Sequence, residues 1–343
     1  MIALYPSYPG QPRVPDAWFQ EEAKAAKQAG FKTALVDIEL QLGGDVILRM
    51  LPEDDHEVVY RGWILKPEVY DRLEETLRVT GWNLVESPEA YRETYEFPRW
   101  YKKLEEETPR SIVIPKEEGK LFDLDAVAEL VYQAFQTRLS LKDQARVAAY
   151  DESFRAPDGS PIYHTGHLLP ELMELPGARP VILKDWIKSR KENWFQACFI
   201  PDARDHDYVK RVTQCFIDLM EMADLAGGLV FRQFEEFRRI GTHPRTHMPV
   251  INEWRGFLVN GTCCYLAPYW SSGDYTNVDA PDPNWLEALG RQANLISAFY
   301  TIDVAQKLDG PWRVIEIGSG GASGVPEGGG ITTFYQNLAE ALG

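Results

Sequence analysis

Over the first third of the chain, short apolar runs alternate with amphipathic stretches. "MIALYP" reads as an apolar strand. "PDAWFQEEAKAAKQAG" comes next with apolar positions at helical spacing, Pro15 and Asp16 at its start and Gly30 at its stop. "FKTALVDI" is the next strand, so strand, helix and strand predict a right-handed parallel crossover. "EVVYRGWIL" supplies another strand, followed by the helix "KPEVYDRLEETLRVTG" and the short strand "WNLVES". Ser87 and Pro88, a cap and a first-turn proline, predict a helix through "SPEAYRETYEFPRWYKKLEEE". "TPRSIVIP" is one more strand, and residues 1–115 read as an open α/β domain.

The pattern then changes. "LFDLDAVAELVYQAFQTRLSLKDQARVAAY" is one amphipathic helix or two, and "DESFRAPDGSPIYHTGH" is a loop or hairpin turning at Pro157-Asp158-Gly159. Residues 116–180 are therefore taken as a helical insertion or linking segment. From residue 181 strands dominate: "PVILKDWIKSRKENW" is a strand ending in lysine and then a basic loop, and "HDYVKRVTQCFIDLMEMA" is a helix. "GGLVFRQFEEF", "NEWRGFLVNGTCCYLAPYW" and "GPWRVIEIGS" are strands, with the helix "NWLEALGRQANLISAFY" before "TIDVAQKL". Strands with few helices between them predict an antiparallel sheet. The fold class is α/β, becoming α+β in the C-terminal part.

Composition narrows the function classes. Across 343 residues, 44% are hydrophobic and 26% charged, as in an ordinary soluble protein. No stretch approaches the roughly 18 apolar residues of a membrane span. The N-terminus has neither the basic head nor the apolar core of a signal peptide, so a cytoplasmic location is expected. Cys198, Cys215, Cys263 and Cys264 lack metal-type spacing and read as reduced, buried thiols. Lys and Arg number 36 against 52 Asp and Glu, a net charge of −16. That balance argues against a nucleic-acid partner, while leaving room for a small basic nucleotide pocket.

Near the end stands "VIEIGSGGASGVPEGGG", residues 314–330. Gly318 and Gly320 begin a dinucleotide-type glycine pattern, but Ser323 falls where its third glycine belongs. The helix, strand and acidic residue of that fold do not fit between this loop and the last residue. Glu316 is more informative. Alternation puts Val314, Glu316 and Gly318 on one face, with Ile315 and Ile317 on the other. Asp303 is a second carboxylate among apolar residues, and a hairpin turning at Asp309-Gly310 would set the two strands side by side. Asp303 and Glu316 then either share a hard cation such as Mg²⁺ or are unrelated acids on a solvated face.

Lys184 stands after three apolar residues, and Lys188, Arg190 and Lys191 come soon after. The cluster reads as a local anion site, against the alternative of a snorkelling lysine. His164 and His167, and the pair His243 and His247 interrupted by Pro244, read as loop histidines, although "GTHPRTHMP" also suits the lining of a substrate pocket.

Lys184 on its strand, then "LVFRQFEEF", "EWRGF" and "IDVAQKLDGPWRVIEIGSG", resemble in order the ATP-grasp superfamily. The resemblance is nearest to a divergent clade with stretches like "YRGWILKPE" and "APYW", and it covers nearly the whole chain. It implies a parallel N-terminal α/β domain over 1–115, the segment 116–180, and an ATP-grasp region over 181–343. That region would comprise a small lid (about 181–235) and a C-terminal, mostly antiparallel catalytic subdomain, with ATP between them.

By the same resemblance, Lys184 matches the lid lysine on the nucleotide phosphates. Lys188, Ser189 and Lys191 stand where many members have a glycine-rich phosphate loop. Arg232, Gln233 and Phe234 match the hinge strand beside adenine. Glu235 or Glu236 would reach the adenine edge or ribose, or else mark an exposed strand end. Arg255 matches an arginine that steadies phosphate or the intermediate, the alternative being a surface ion pair with Glu253. Asp303 and Glu316 match the metal ligands. Where relatives place asparagine this chain has Gly318, so Ser319, water or substrate would supply the missing ligand. For the N-terminal phosphate lysine the candidates are Arg92, Lys102 and Lys103, with Arg92 preferred.

The implied activity is an ATP-dependent carboxylate–amine (or carboxylate–thiol) ligase using Mg²⁺ and an acylphosphate. Its partners would be a small molecule or peptide carrying a carboxylate, and an amine acceptor. The alternatives are a phosphotransferase to a hydroxyl, or an inactive nucleotide-binding scaffold. Arg61, Arg92, His243, Arg245, Tyr269 and Trp270 are candidate pocket residues that suit an anionic substrate. Oligomeric state leaves no mark in the sequence.

Overall fold

Strand β1 (Ile2–Tyr8) is buried over its first six residues. It pairs in parallel with β3 (Lys32–Val36) on one side and β5 (Glu57–Tyr60) on the other. Between them run β2 (Gln11–Pro15), which folds back antiparallel on β1, and helix α1 (Gln20–Gln28). The short strands β4 (Leu48–Arg49) and β6 (Asn83–Leu84) complete the order β4-β3-β1-β5-β6, and α2 (Pro67–Val79) connects β5 to β6. The apolar run of β1 is what a strand covered on both faces requires. The helix expected from Ser87 is instead two, α3 (Pro88–Tyr95) and α4 (Phe97–Tyr101), separated by Glu96 in an extended conformation. Pro98 has no N–H for the next helical bond, and its ring would strike the preceding turn.

This computed structural model describes residues 1–37, 45–135, 179–244 and 249–343. Contacts divide them into two units, Met1–Thr108 with Glu236–Gly343, and Pro109–Glu235.

The second unit has a four-stranded antiparallel sheet of β7 (Ser111–Pro115), β10 (Gly228–Gln233), β8 (Val181–Asp185) and β9 (Phe199–Ile200), in that order. Helices α5 (Leu124–Phe135) and α6 (His206–Asp224) cover one face. Val127, Val131 and Phe216 pack there against Val181, Leu183, Leu229 and Phe231. "TPRSIVIP", read with the N-terminal domain, supplies β7 of this sheet, because Ile112 and Ile114 meet the core beneath α5 and α6. The helical reading of residues 121–150 is realised in α5, and its remainder lies outside the described residues. The same holds for Pro157-Asp158-Gly159, His164, His167, Arg245 and His247.

After Glu236 come the hairpin β11 (Arg239–Thr242) and β12 (Pro249–Ile251), and then β13 (Glu253–Val259), β14 (Thr262–Pro268), β15 (Phe299–Gln306) and β16 (Trp312–Ser319). The last four form an antiparallel sheet ordered β14-β13-β15-β16. Asn260 and Gly261, both at positive φ, make the tight turn between β13 and β14. Helix α7 (Pro283–Ala293) covers one face through Leu286 and Leu289, and α8 (Ile331–Leu342) closes the chain. Phe257, Phe299, Phe334 and Tyr335 share one core with Tyr5, Phe19 and Leu35, so the N-terminal sheet and this sheet form a single unit. Among the described residues no helix is long and apolar enough to cross a membrane.

Candidate functional site

The expected hairpin forms, turning through Asp309 and Gly310, the latter at φ 111°. Asp303 and Glu316 stand directly opposite each other across it. The register slips one residue beyond that pair, so Val304 faces Val314 and Ile315 is a bulge. Val314 therefore lies with Ile317 on the face opposite Glu316, whereas simple alternation put it beside Glu316. Bulges re-aim side chains in this way, and they are common beside active sites.

On the other side of β15, Arg255 pairs with Asp303. Nε of Arg255 donates to one carboxylate oxygen at 2.8 Å, and Nη2 to the other at 2.7 Å. Glu253, the alternative surface partner for Arg255, is instead buried and accepts the Trp270 indole N–H at 2.8 Å. Burial opposes the Arg255 charge, but Asp303 outweighs it, with Tyr269 and Glu316 adding to the effect, so the guanidinium stays protonated. The Tyr269 ring lies 4.8 Å from it, and His243 stands edge-on to Trp270 at 6.1 Å. Glu253 and Arg255 share a face of β13, so Tyr269, Trp270 and His243 gather on the side of the Asp303–Glu316 pair.

Gly318 continues that face. A Cβ there would come within 2.9 Å of both the Thr301 and Ser323 hydroxyl oxygens, which are themselves 2.9 Å apart. Ser319 points the other way: it pairs with Tyr300, and its hydroxyl donates to the buried Glu86 carboxyl. It is thus on the wrong face to join Glu316 around one cation. Burial lifts Glu86 to about 7, opposed by hydrogen bonds from Ser319, Ser297 and Thr94.

Residues 320–323 are not a phosphate cradle. The N–H groups of Gly320, Ala322 and Ser323 donate to carbonyls of Phe299 and Ser319, and that of Gly321 to the Ser319 hydroxyl. Carbonyls of the loop point at cations: Gly320 and Ser323 accept from Arg61, and Gly324 accepts from Arg255 at 3.0 Å. Arg61, expected in a substrate pocket, is 1% exposed and ion-paired with Glu22. Arg92 is held by Asp71 on the surface of α2 and α3, and Lys103 by Glu93 and the Asn294 carbonyl; Lys102 is exposed. The roles of Glu86, Thr301 and Ser323 had no signal in the sequence beyond their residue types.

In the second unit, Lys184 lies opposite Val230, and Arg232 opposite Ile182. Both cations therefore occupy the face away from the helices, since Val181, Leu183, Leu229 and Phe231 fill the helix side. The Asp185 carboxylate accepts the N–H groups of Ile187 and Lys188, tying off the next turn of the chain. Arg190 bends to the Leu219 carbonyl at 2.5 Å, Ser189 bridges to Lys184, and Lys191 opens a short helical turn. Lys188 is exposed. Gln233 donates its N–H to Arg110, and Phe234 packs 5.4 Å from Phe199. Glu235 ends this unit and Glu236 begins the return.

Among the described residues no group of three or more His, Cys, Asp or Glu side chains converges as a metal cage. The donor set for a hard cation is the Asp303–Glu316 pair. It fits Mg²⁺, which takes one or two carboxylates and fills its octahedron with water and phosphate oxygens.

Residues 174–338 match a family model described as an ATP-grasp domain, the third family of its clade. D-cycloserine synthetase DcsG is similar in fold at 12% identity, with TM-score 0.54 and all of both chains covered. The ATP-grasp ligase PsnB, solved with a phosphomimetic precursor variant, Mg and ADP, is similar at 11% identity. Its TM-score is 0.51, with 100% of this chain and 98% of that one covered. No curated protein matches the sequence significantly. At these identities the structures speak for the fold alone: the chain has an ATP-grasp fold, and residues 174–338 match an ATP-grasp domain.

Proposed function

We propose that this protein is an ATP-dependent carboxylate–amine ligase that uses Mg·ATP and an acylphosphate intermediate. The observation that carries the reading is the Arg255–Asp303–Glu316 constellation: two carboxylates on adjacent strands with one fixed guanidinium beside them. The solved protein PsnB is named an ATP-grasp ligase and was captured with Mg and ADP, and DcsG is named a synthetase; both support the same chemistry here.

Asp303 and Glu316 would hold Mg²⁺, which when bound neutralises charge on the phosphate oxygens. Lys184 would bind nucleotide phosphates, with Lys188, Ser189 and Lys191 nearby in sequence. Arg232, on the same sheet face as Lys184, would lie beside adenine with Gln233 and Phe234. In the first step a substrate carboxylate oxygen bonds to the γ-phosphorus and ADP leaves. In the second, an amine bonds to the acyl carbon, phosphate leaves and the amine loses a proton. Arg255 does not change protonation; it meets the charge that develops on the transferring phosphoryl and acyl oxygens. Tyr269, Trp270 and His243 would line the carboxylate-bearing substrate beside it.

The test is calorimetric titration with Mg·ATP, followed by product analysis with candidate acids and amines. ADP, free phosphate and a new amide are expected. A phosphorylated acceptor would make the protein a phosphotransferase instead, and no Mg·ATP binding would remove the reading altogether. Glu316→Gln retaining full ATP turnover would overturn the metal assignment by itself.

A further inference from the structure

The Arg61 guanidinium is buried at the end of β5 and organises four other segments of its unit. Its Nε and Nη2 donate to the same Glu22 oxygen on α1, at 3.1 and 2.8 Å. That oxygen also accepts the Tyr335 hydroxyl of α8 at 2.7 Å, and Tyr335 accepts Tyr5 of β1 at 2.8 Å. Nη1 donates to the carbonyls of Gly320 and Ser323, the latter at 2.7 Å. The neighbouring Gly62 N–H donates to the Gly321 carbonyl at 3.0 Å. Phe257 and Phe334 lie under the cation at 5.9 and 5.3 Å. Burial opposes the charge, but Glu22 and Tyr335 secure it.

From this arrangement we infer that Arg61 is a positioning residue: it fixes loop 320–324 and, through the Gly324 carbonyl, the orientation of Arg255 against Asp303. Arg255 is held from two sides, by the Asp303 carboxylate and by Gly324, and the second hold is only as rigid as the loop. The side-chain tie between the loop and the strand beneath it runs from Ser323 to Thr301. The carbonyls of Gly320, Gly321 and Ser323 instead hang from Arg61 and Gly62. Losing the guanidinium would take donors from two of those carbonyls, so the loop should loosen before the sheet does. The inference rests on the role proposed for Arg255 and adds what aims it.

The full-length protein with Arg61→Met or Arg61→Lys would be compared with wild type in two measurements. Hydrogen exchange is read in peptides covering 318–326 and, as a control in the same core, β3. ATP turnover is read as ADP release, with the twenty amino acids pooled as carboxylate and amine. In Arg61→Met, loop exchange is expected to rise about tenfold or more with β3 unchanged. The kcat is expected to fall about tenfold while KM for ATP stays within about twofold. Arg61→Lys, which keeps one charged donor, should recover part of both.

Exchange rising equally in loop and β3 would make Arg61 merely structural and overturn the inference. So would a freed loop with unchanged kcat. If Arg61→Met does not fold, the same outcomes are read from Arg61→Lys. Absence of turnover in wild type would count against the ligase reading, and loop exchange would then decide the loop assignment separately.

Discussion

Arg255 grips both oxygens of Asp303, at 2.8 and 2.7 Å, on the face where Glu316 stands opposite the same aspartate. Asp303 stands between Arg255 and Glu316, so with both acids ionised the three groups carry a single net negative charge on a largely buried sheet face. The deepest carboxylate is already paired, which stabilises this face without a cation, and in the proposed function Glu316 supplies the second carboxylate that Mg²⁺ would meet.

Removing one partner of that pair should be costly. Asp303→Ala leaves Arg255 buried without its carboxylate, and about 3 kcal/mol of unfolding free energy should be lost. The double variant Arg255→Met with Asp303→Ala leaves no buried guanidinium without its carboxylate and should be less destabilised than Asp303→Ala alone. Urea denaturation of wild type, Asp303→Ala, Arg255→Met and the double variant measures this; a double variant as weak as the sum of the singles would mean the two residues act independently.

The site was legible in the sequence where short-range rules decide it. A turn at Asp309-Gly310 and strand alternation were enough to bring Asp303 opposite Glu316. The same alternation puts Ser319 on the far face, and its role as a metal ligand did not follow from the pattern. The bulge at Ile315 was not legible, because an apolar residue fits either face and packing alone chose. Arg61 reads as a pocket residue; its pairing with Glu22 depends on α1, β5 and α8 meeting in one core, which no local pattern encodes. Strand β7 was assigned to the wrong neighbours for the same reason: its own sequence names a strand but not its partner.

Glu86 gives a pH signature. Its folded value, lifted to about 7 by burial against the opposing hydroxyl donors, exceeds that of an unfolded glutamate. Between roughly pH 4.5 and 7 the folded protein therefore binds this proton more tightly than the unfolded chain. Stability from this group is fully present at the acid end and is lost as pH rises through 7, by on the order of 3 kcal/mol. Glu86→Gln, neutral throughout, should flatten that slope. Thermal unfolding from pH 5 to 8 tests it; parallel curves for wild type and variant would contradict the raised value.

The adjacent cysteines should be sluggish. Burial lifts the Cys263 thiol to about 11, with Glu287 adding to it, and burial lifts Cys264 to about 12. Their sulfurs already lean on the Tyr265 and Phe257 carbonyls. At pH 8 both should be alkylated on the order of a hundredfold more slowly than a free thiol. Mass spectrometry after timed iodoacetamide treatment of the folded protein would resolve this, and rapid labelling of either residue would refute it.

Gly318 stands where the resemblance would place an asparagine, and packing disfavours any larger residue there. A Cβ at 318 would press to 2.9 Å against both hydroxyls that join Thr301 to Ser323. Thr301 is 1% exposed and β-branched, so it has little room to retreat. Gly318→Asn should accordingly cost about 1–3 kcal/mol by overpacking. Shortening the obstructing side chain should return most of that loss, so Gly318→Asn with Thr301→Ala should be more stable than Gly318→Asn alone, even though Thr301→Ala by itself destabilises. Denaturant midpoints for the four proteins give the coupling directly. A favourable coupling of about 1 kcal/mol or more is expected for residues in contact. Additive effects would mean that glycine stands at 318 for a reason other than the Thr301–Ser323 link.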